Sequence, residues 1–351
     1  PFDYAQFRAD NPRIPLIGSE TVSCVSSRGE YFFPVSADKK LGRANFQATS
    51  YDLSAPSWGY PPDEEFEFQD RNPFVAGEFV WSGFDYLGEP TPYDGDTTRR
   101  LIFTDPAVQA RWDRILKAGG KITVPSRSSY FGIFDLCGFK KDRFYLYQAR
   151  WRPDLPMAHI VPQNWNWPDR IRKITPVEAY TSGDSAQLFL NGKSLGLKKK
   201  GRYQYRLWWT NVVFHPGVIK VVAYRKGEPW ATNVVQTAGP AAKLVLTADR
   251  AGIRADGKDL SFVTLTVEDA NGLMVPNADN PVRFSIKGPG AIVATGNGDA
   301  TSHVSFQSKA RDAFNGLCLA IVRGKKGQPG PITVRAQSAG LAGATVVIQS
   351  R

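Results

Sequence analysis

From about Met157 onward the chain is written in a single grammar, short alternating runs cut by turn residues, and this constrains the fold more than anything else in it. "VEAYTSG", "AQLFLNGKSLG", "YQYRLWW" and "VIKVVAYRKG" come first. After Pro240 follow "AKLVLTAD", "SFVTLTVEDANG", "VRFSIKG", "GAIVATG", "LCLAIVRG", "ITVRAQS" and "ATVVIQS". Side chains of a strand alternate between faces, so such runs form sheets with one buried face, and regularly spaced turns stack those sheets into sandwiches. Asn191-Gly192 between "LFL" and "KSLG" is a two-residue hairpin signal, because both residues tolerate the positive φ that a type I′ turn needs. The expectation is a small β-sandwich over 157–239 and an immunoglobulin-like sandwich over 240–351, with "GPAAK" as the hinge between them.

The first 156 residues read differently. "IPLIG" and "PFVAGEFVW" are nearly continuous apolar runs, as in strands of a parallel sheet buried on both faces. "DPAVQARWDRILKAGG" (Asp105 to Gly120) has helical spacing, an Asp-Pro start and a Gly-Gly stop. "KKDRFYLYQARW" (Lys140 to Trp151) reads as a second, aromatic-rich helix. Between the two apolar runs lies "SYDLSAPSWGYPPDEEF", read as one long loop, and loops of that length in compact domains are usually functional.

Composition narrows the chemistry. A chain with 42% hydrophobic and 22% charged residues is globular, and no stretch is apolar for long enough to span a bilayer. The net charge of +11 admits an anionic partner, yet the basic residues are scattered; the one tight run, Lys198-Lys199-Lys200, sits beside a turn and reads as a solvated loop. Neither nucleic acid nor membrane is expected as a partner. Three cysteines and three histidines are dispersed and form no disulfide, zinc or triad pattern. Asp-Gly and Asn-Gly pairs in the sandwiches read as turns before they read as calcium ligands. Chemistry here falls to carboxylates.

In a (β/α) barrel the reacting groups stand at the C-terminal ends of strands. Glu20 does so after "IPLIGS"; Trp81, Asp85 and Glu89 do so after "FVAGEFV". A tryptophan beside acids suits a sugar cleft, since the indole packs on the C–H face of a pyranose while carboxylates accept its hydroxyls. Taken singly, Trp81 reads as a core aromatic and Glu20 as half of an ion pair; only the wider pattern decides.

That pattern resembles a known family. "IGSETVSCVSSRGEYFFPVS", "SYDLSAPSWGYPPDEEF", "QDRNPFVAGEFVWSGFDYLGEPTPY", "SSYFGIFDLCGFKKDRFYLYQARW" and "FLNGKSLG" are similar to the β-galactosidases of glycoside hydrolase family 2, in the bacterial subgroup with extra C-terminal β-domains. The resemblance runs from Pro1 to Arg351. It implies a multidomain α/β plus all-β chain: the C-terminal end of a (β/α)8 TIM barrel over 1–156, followed by the two β-sandwich domains. It implies a retaining exo-β-glycosidase acting on terminal β-D-galactosides, with Glu20 as the nucleophile and Trp81 lining the galactose subsite. Asp85 and the loop around Tyr51 and Asp52 are implied as further substrate-binding groups, and Tyr130 and Phe131 as neighbours of the same mouth or as packing. It further implies a possible Mg²⁺ or Na⁺ whose ligands lie mostly outside this chain, a periplasmic or secreted bacterial enzyme, and a possible homo-oligomer.

The sequence departs from the family in one respect. The family's acid/base glutamate follows an asparagine, and no Asn-Glu pair occurs in these 351 residues. The chain is therefore expected to be a C-terminal piece that needs the N-terminal portion of the same enzyme and is inactive alone. Two alternatives remain. A carbohydrate-binding or adhesive β-module would use exposed aromatics such as Trp165, Trp167, Trp208 and Trp209. A family 2 enzyme for β-glucuronides or β-mannosides would keep the mechanism; an Asn-x-Lys pair that marks glucuronidases is present as Asn191-Gly192-Lys193, but on the hairpin.

Overall fold

The structure, a computed structural model, describes residues 3–36, 45–93 and 126–351. It comprises two compact units. Unit 1 takes in Pro1–Gln163, Trp167–Val235 and Ala300–Ser302; unit 2 takes in Asn164–Asn166, Gln236–Asp299 and His303–Arg351. The expected division at 156/157 thus falls inside unit 1.

Unit 1 opens with helix α1 (Tyr4–Asp10), strand β1 (Leu16–Val22), helix α2 (Pro62–Arg71) and strand β2 (Val75–Trp81). β1 and β2 pair in parallel as a two-stranded sheet. This β-α-β unit, rather than a barrel, is what the described residues show of the expected (β/α)8 end. The end of the segment expected as a long loop is helical: Pro62 opens α2, and Asp63, Glu64 and Glu65 fill its first turn. Proline fits that position because its missing N–H is not needed there, and acids are favoured by the positive end of the helix dipole. Helix α3 (Asp142–Trp151) matches the aromatic-rich helix expected at 140–151, starting two residues later. The helix expected over 105–120 lies outside the described residues.

The remaining strands of unit 1 form two sheets, with β3 (Ala158–Val161), β4 (Val177–Thr181) and β7 (Leu207–Trp209) in one, ordered β3-β4-β7. A second sheet is ordered β6-β5-β8-β9, from β5 (Ser185–Leu190), β6 (Lys193–Lys199), β8 (Val218–Arg225) and β9 (Glu228–Gln236). The β5–β6 hairpin turns on Asn191 (φ 50°) and Gly192 (φ 79°), the positive pair that its sequence requires.

Unit 2 holds every strand expected after Pro240 in two sheets. β10 (Ala241–Ala248), β12 (Leu260–Asp269), β16 (Leu317–Gly324) and β14 (Gly290–Gly296) form the first, in that order. The second is ordered β11-β18-β17-β13-β15, from β11 (Gly252–Ile253), β13 (Pro281–Lys287), β15 (Ala310–Asp312), β17 (Gly330–Gln337) and β18 (Ala344–Ser350). β12 alternates perfectly, with Val263, Leu265 and Val267 fully buried against Val322, Ile332, Val334 and Ile348. That alternation fixes the register, because a slip of one residue would turn the whole apolar set to solvent.

Candidate active site

Glu20 stands near the end of β1, and the local pairing explains why it points into solvent. Gly18 pairs with Glu78 and Thr21 with Val80, so the two residues between them on β1, Ser19 and Glu20, face only one on β2. A bulge of this kind re-aims a side chain, and both bulge residues are exposed while Thr21 and Val22 are buried. One step further on, Val22 pairs with Trp81, which brings the ends of β1 and β2 side by side.

The backbone that follows is strained and held. Val22 (φ 74°) and Ser23 (φ 52°) both lie in the left-handed region, which for a β-branched valine is a true outlier. Tyr60 N–H donates to the Val22 carbonyl at 2.7 Å. A Cβ at Gly59 would lie 2.8 Å from the Ser23 oxygen and 2.9 Å from that of Val22, so only glycine lets this loop close on the strand end.

Behind it lie two buried cations from the start of α3. Arg143 donates to the carbonyl of Cys24, to that of Phe131 (3.0 Å), to Ser26 Oγ (2.8 Å) and to Asp52 (3.0 Å). Lys141 Nζ donates to the carbonyls of Ser26 (2.7 Å) and Tyr130 (3.1 Å) and pairs with Asp85 at 2.6 Å. Burial pushes the Asp85 carboxyl up to about 6 against the opposing pull of Lys141 and the Gly132 N–H, and burial likewise lowers the Lys141 ammonium. Sequence reasoning passed over both cations. Their signal was there: lysine and arginine at a helix N-terminus oppose its dipole, so they need carboxylates elsewhere.

The other expected site residues divide. Trp81 is partly buried; its Nε1 donates to Tyr86 Oη at 3.0 Å, and the two rings meet edge to face at 5.9 Å. Tyr86 in turn donates to the exposed Glu89 at 2.5 Å. Tyr130 and Phe131 are core residues of an aromatic cluster with Val25, Ala48 and Tyr93, against which Trp81 and Tyr86 pack. Three of the groups expected at the site are instead buried. Tyr51 is fully buried, donating to the Pro176 carbonyl at 2.6 Å and stacking on Trp208, so its ring cannot meet a sugar. Asp85 is buried in its ion pair, and Asp52 in its own with Arg143. All three hold the fold together.

Of the aromatics offered for an adhesive module, Trp165 and Trp209 are buried, and Trp167 and Trp208 are half-buried against neighbouring rings. Among the described residues, no group of three or more His, Cys, Asp or Glu is placed to hold a metal ion. Asn191-Gly192-Lys193 closes the β5–β6 hairpin.

Comparison with known proteins gives this arrangement a family. Residues 244–347 match the model "Glycoside hydrolase family 2 C-terminal domain 5", and residues 172–231 match a domain of unknown function, DUF4982. The chain is 36% identical to beta-galactosidase BoGH2A of Bacteroides ovatus, over 99% of this chain and 38% of that protein. It is 29% identical to a putative beta-glucuronidase of Formosa agariphila, over 74% of this chain and 22% of the relative. A glycosyl hydrolase family 2 member from Bacteroides cellulosilyticus superposes with a TM-score of 0.76 at 26% identity, covering 100% of this chain and 41% of that one. The chain thus spans well under half the length of these relatives. By these matches the chain belongs to glycoside hydrolase family 2 and carries its C-terminal domains.

Proposed function

We propose that this chain is the nucleophile-bearing part of a retaining exo-β-galactosidase, with β1 and β2 as the last two strands of a (β/α)8 barrel. The bulge that turns Glu20 outward beside the Val22–Trp81 pairing carries this reading. Glu20, ionised, attacks the anomeric carbon and forms a glycosyl ester; a second carboxyl group about 5–5.5 Å away protonates the leaving oxygen and then deprotonates the incoming water. The sequence holds no Asn-Glu pair, so that second group is assigned to polypeptide outside this chain. Trp81, its indole N–H held by Tyr86, supplies the ring for the sugar. Galactose is favoured over glucuronic acid by the 36% identity to a beta-galactosidase across nearly the whole chain.

The test is labelling of the whole enzyme with a 2-deoxy-2-fluoro-β-galactoside, followed by peptide mapping. The label is expected on Glu20, with Glu20→Gln unlabelled. Label on another carboxylate removes the assignment, and faster turnover of a nitrophenyl β-glucuronide than of the galactoside replaces the sugar.

A further inference from the structure

We propose that the outward face of the β6-β5-β8-β9 sheet is a second glycan-binding surface, separate from Glu20, and that it takes an anionic polysaccharide. Residues 185–227 contain six lysines and three arginines and no Asp or Glu, and the carboxylate just before them, Asp184, lies close enough to Lys199 and Lys200 to feel their charge. Arg206 is consumed by Asp63 and Glu178, and Lys200 by the Thr181 carbonyl. Lys193, Lys198, Lys199 and Lys220 are exposed, and none forms an ion pair among the described residues.

Pairing register shows which of them share a face. Ala186, Leu188, Ile219, Val221 and Ala223 are buried, so the alternate residues of β5 and β8 point outward. Phe189 stands opposite Ser194 on one side and Lys220 on the other; Gln187 stands between Leu197 and Val222, and Ser185 between Lys199 and Tyr224. Lys220 Nζ lies 5.9 Å from the Phe189 ring centroid, and Gln187 Nε2 donates to Ser194 Oγ at 2.8 Å. The face therefore offers two rings, an amide between them, and an ammonium at each of two opposite corners.

Protection of the sheet edge explains part of this charge, because lysines on an outer strand discourage pairing with another chain. β6 is such an edge, and Lys193 and Lys198 fit that role. Lys220 does not: it lies on β8, which is flanked on both sides by β5 and β9. A lysine on an inner strand beside an aromatic ring, with no carboxylate to meet it, is set for an incoming anion. The rows bearing Lys220 and Lys199 are four residues apart on β5, roughly 13 Å along the strands, so a ligand that meets both must be a chain and not a monosaccharide. Rings that stack on C–H faces and an amide that meets hydroxyls select a glycan carrying uronate or sulfate groups.

The experiment is electrophoresis of the 351-residue chain through gels cast with polygalacturonate, chondroitin sulfate or neutral galactomannan, with competition by a single-stranded DNA oligomer. At least one anionic polymer is expected to retard the chain and galactomannan not to. Lys199→Gln with Lys220→Gln should weaken that retention about tenfold, in line with two lost charge contacts, whereas Lys193→Gln with Lys198→Gln should change it less than about twofold. Phe189→Leu, which keeps the apolar contact and removes the ring, should weaken retention without altering charge. Each variant's thermal melt checks that it folds. Equal losses from the two double variants, equal retention in the neutral gel, no retention at all, or tighter binding of the DNA each overturn the proposal. The readout involves no hydrolysis, so it is independent of the role given to Glu20.

Discussion

Lys141 is the residue whose removal should tell most about the strand-end site. It holds two backbone carbonyls, Ser26 and Tyr130, and the carboxylate of Asp85 in a place from which water is excluded. Breaking a buried pair by deleting one partner costs about 3–5 kcal/mol, because the remaining charge has no compensation. Lys141→Met should therefore destabilise the chain by about that much at pH 8, read from urea unfolding. The sign with pH follows from Asp85, whose carboxyl burial already raises to about 6. A carboxyl with a raised folded pKa gives stability that is present in acid and lost as pH rises through that value. Without Lys141 its pKa climbs further, so the penalty should shrink toward pH 5 as the carboxyl takes up a proton. A penalty that grows toward pH 5 would refute this. Arg143 repeats the arrangement with Asp52; a cation at a helix start is legible in the sequence, but its burial and its partner are not. Both cations lie in a polar-looking "FKKDRF" whose burial depends on carboxylates 56 and more residues away, Asp85 and Asp52. The same ambiguity misassigned Tyr51: an aromatic in a loop reads alike whether it meets a sugar or another ring.

At the scale of elements, the strands after Met157 were legible because alternation is a local consequence of burying one face. The turn at Asn191-Gly192 was legible for a similar reason, since positive φ is a local demand. Gly192→Ala should cost about 1–2 kcal/mol, the price of a Cβ in the left-handed region, and thermal unfolding measures it. Gly59 makes a different demand. Gly59→Ala sets a methyl against two backbone oxygens at 2.8 and 2.9 Å, which must move the Val22–Ser23 segment. In the whole enzyme it should lower kcat more than it raises KM, because a shifted nucleophile affects bond making more than sugar binding. An unchanged kcat would separate this loop from the proposed chemistry. α2 escaped notice because its acidic first turn follows a loop rich in serine, glycine and aromatics, and the Pro-Pro-Asp-Glu-Glu start was absorbed into that loop. The bulge at Glu20 has no signature in a single sequence, since it exists only in register with β2.

For the whole molecule, the parallel pair is the feature that stands apart. Ile17 and Phe79, on β1 and β2, are 48% and 64% exposed, and a two-stranded sheet does not reach independent stability in water. The matched relatives are more than twice as long as this chain. In the proposed barrel both side chains would be covered by neighbouring strands. Ile17→Ser with Phe79→Ser should therefore leave the melting of the 351-residue chain within about 1 kcal/mol, as exposed substitutions do, yet inactivate the whole enzyme. A large loss of stability in the chain alone would show that these residues already pack where they are.

Arg206 reaches from the strand region to Asp63 on α2, to the Tyr51 carbonyl and to Glu178 on β4, while Tyr51 spans to the Pro176 carbonyl. For anyone recombining enzymes of this kind, those bonds mark where a crossover is safe. A chimera joined near residue 157 inherits a guanidinium from one parent and its carboxylates from another, and any mismatch leaves a charge stranded. A join at Val235–Gln236 cuts none of these pairs, so natural exchange of trailing modules among relatives should have favoured it.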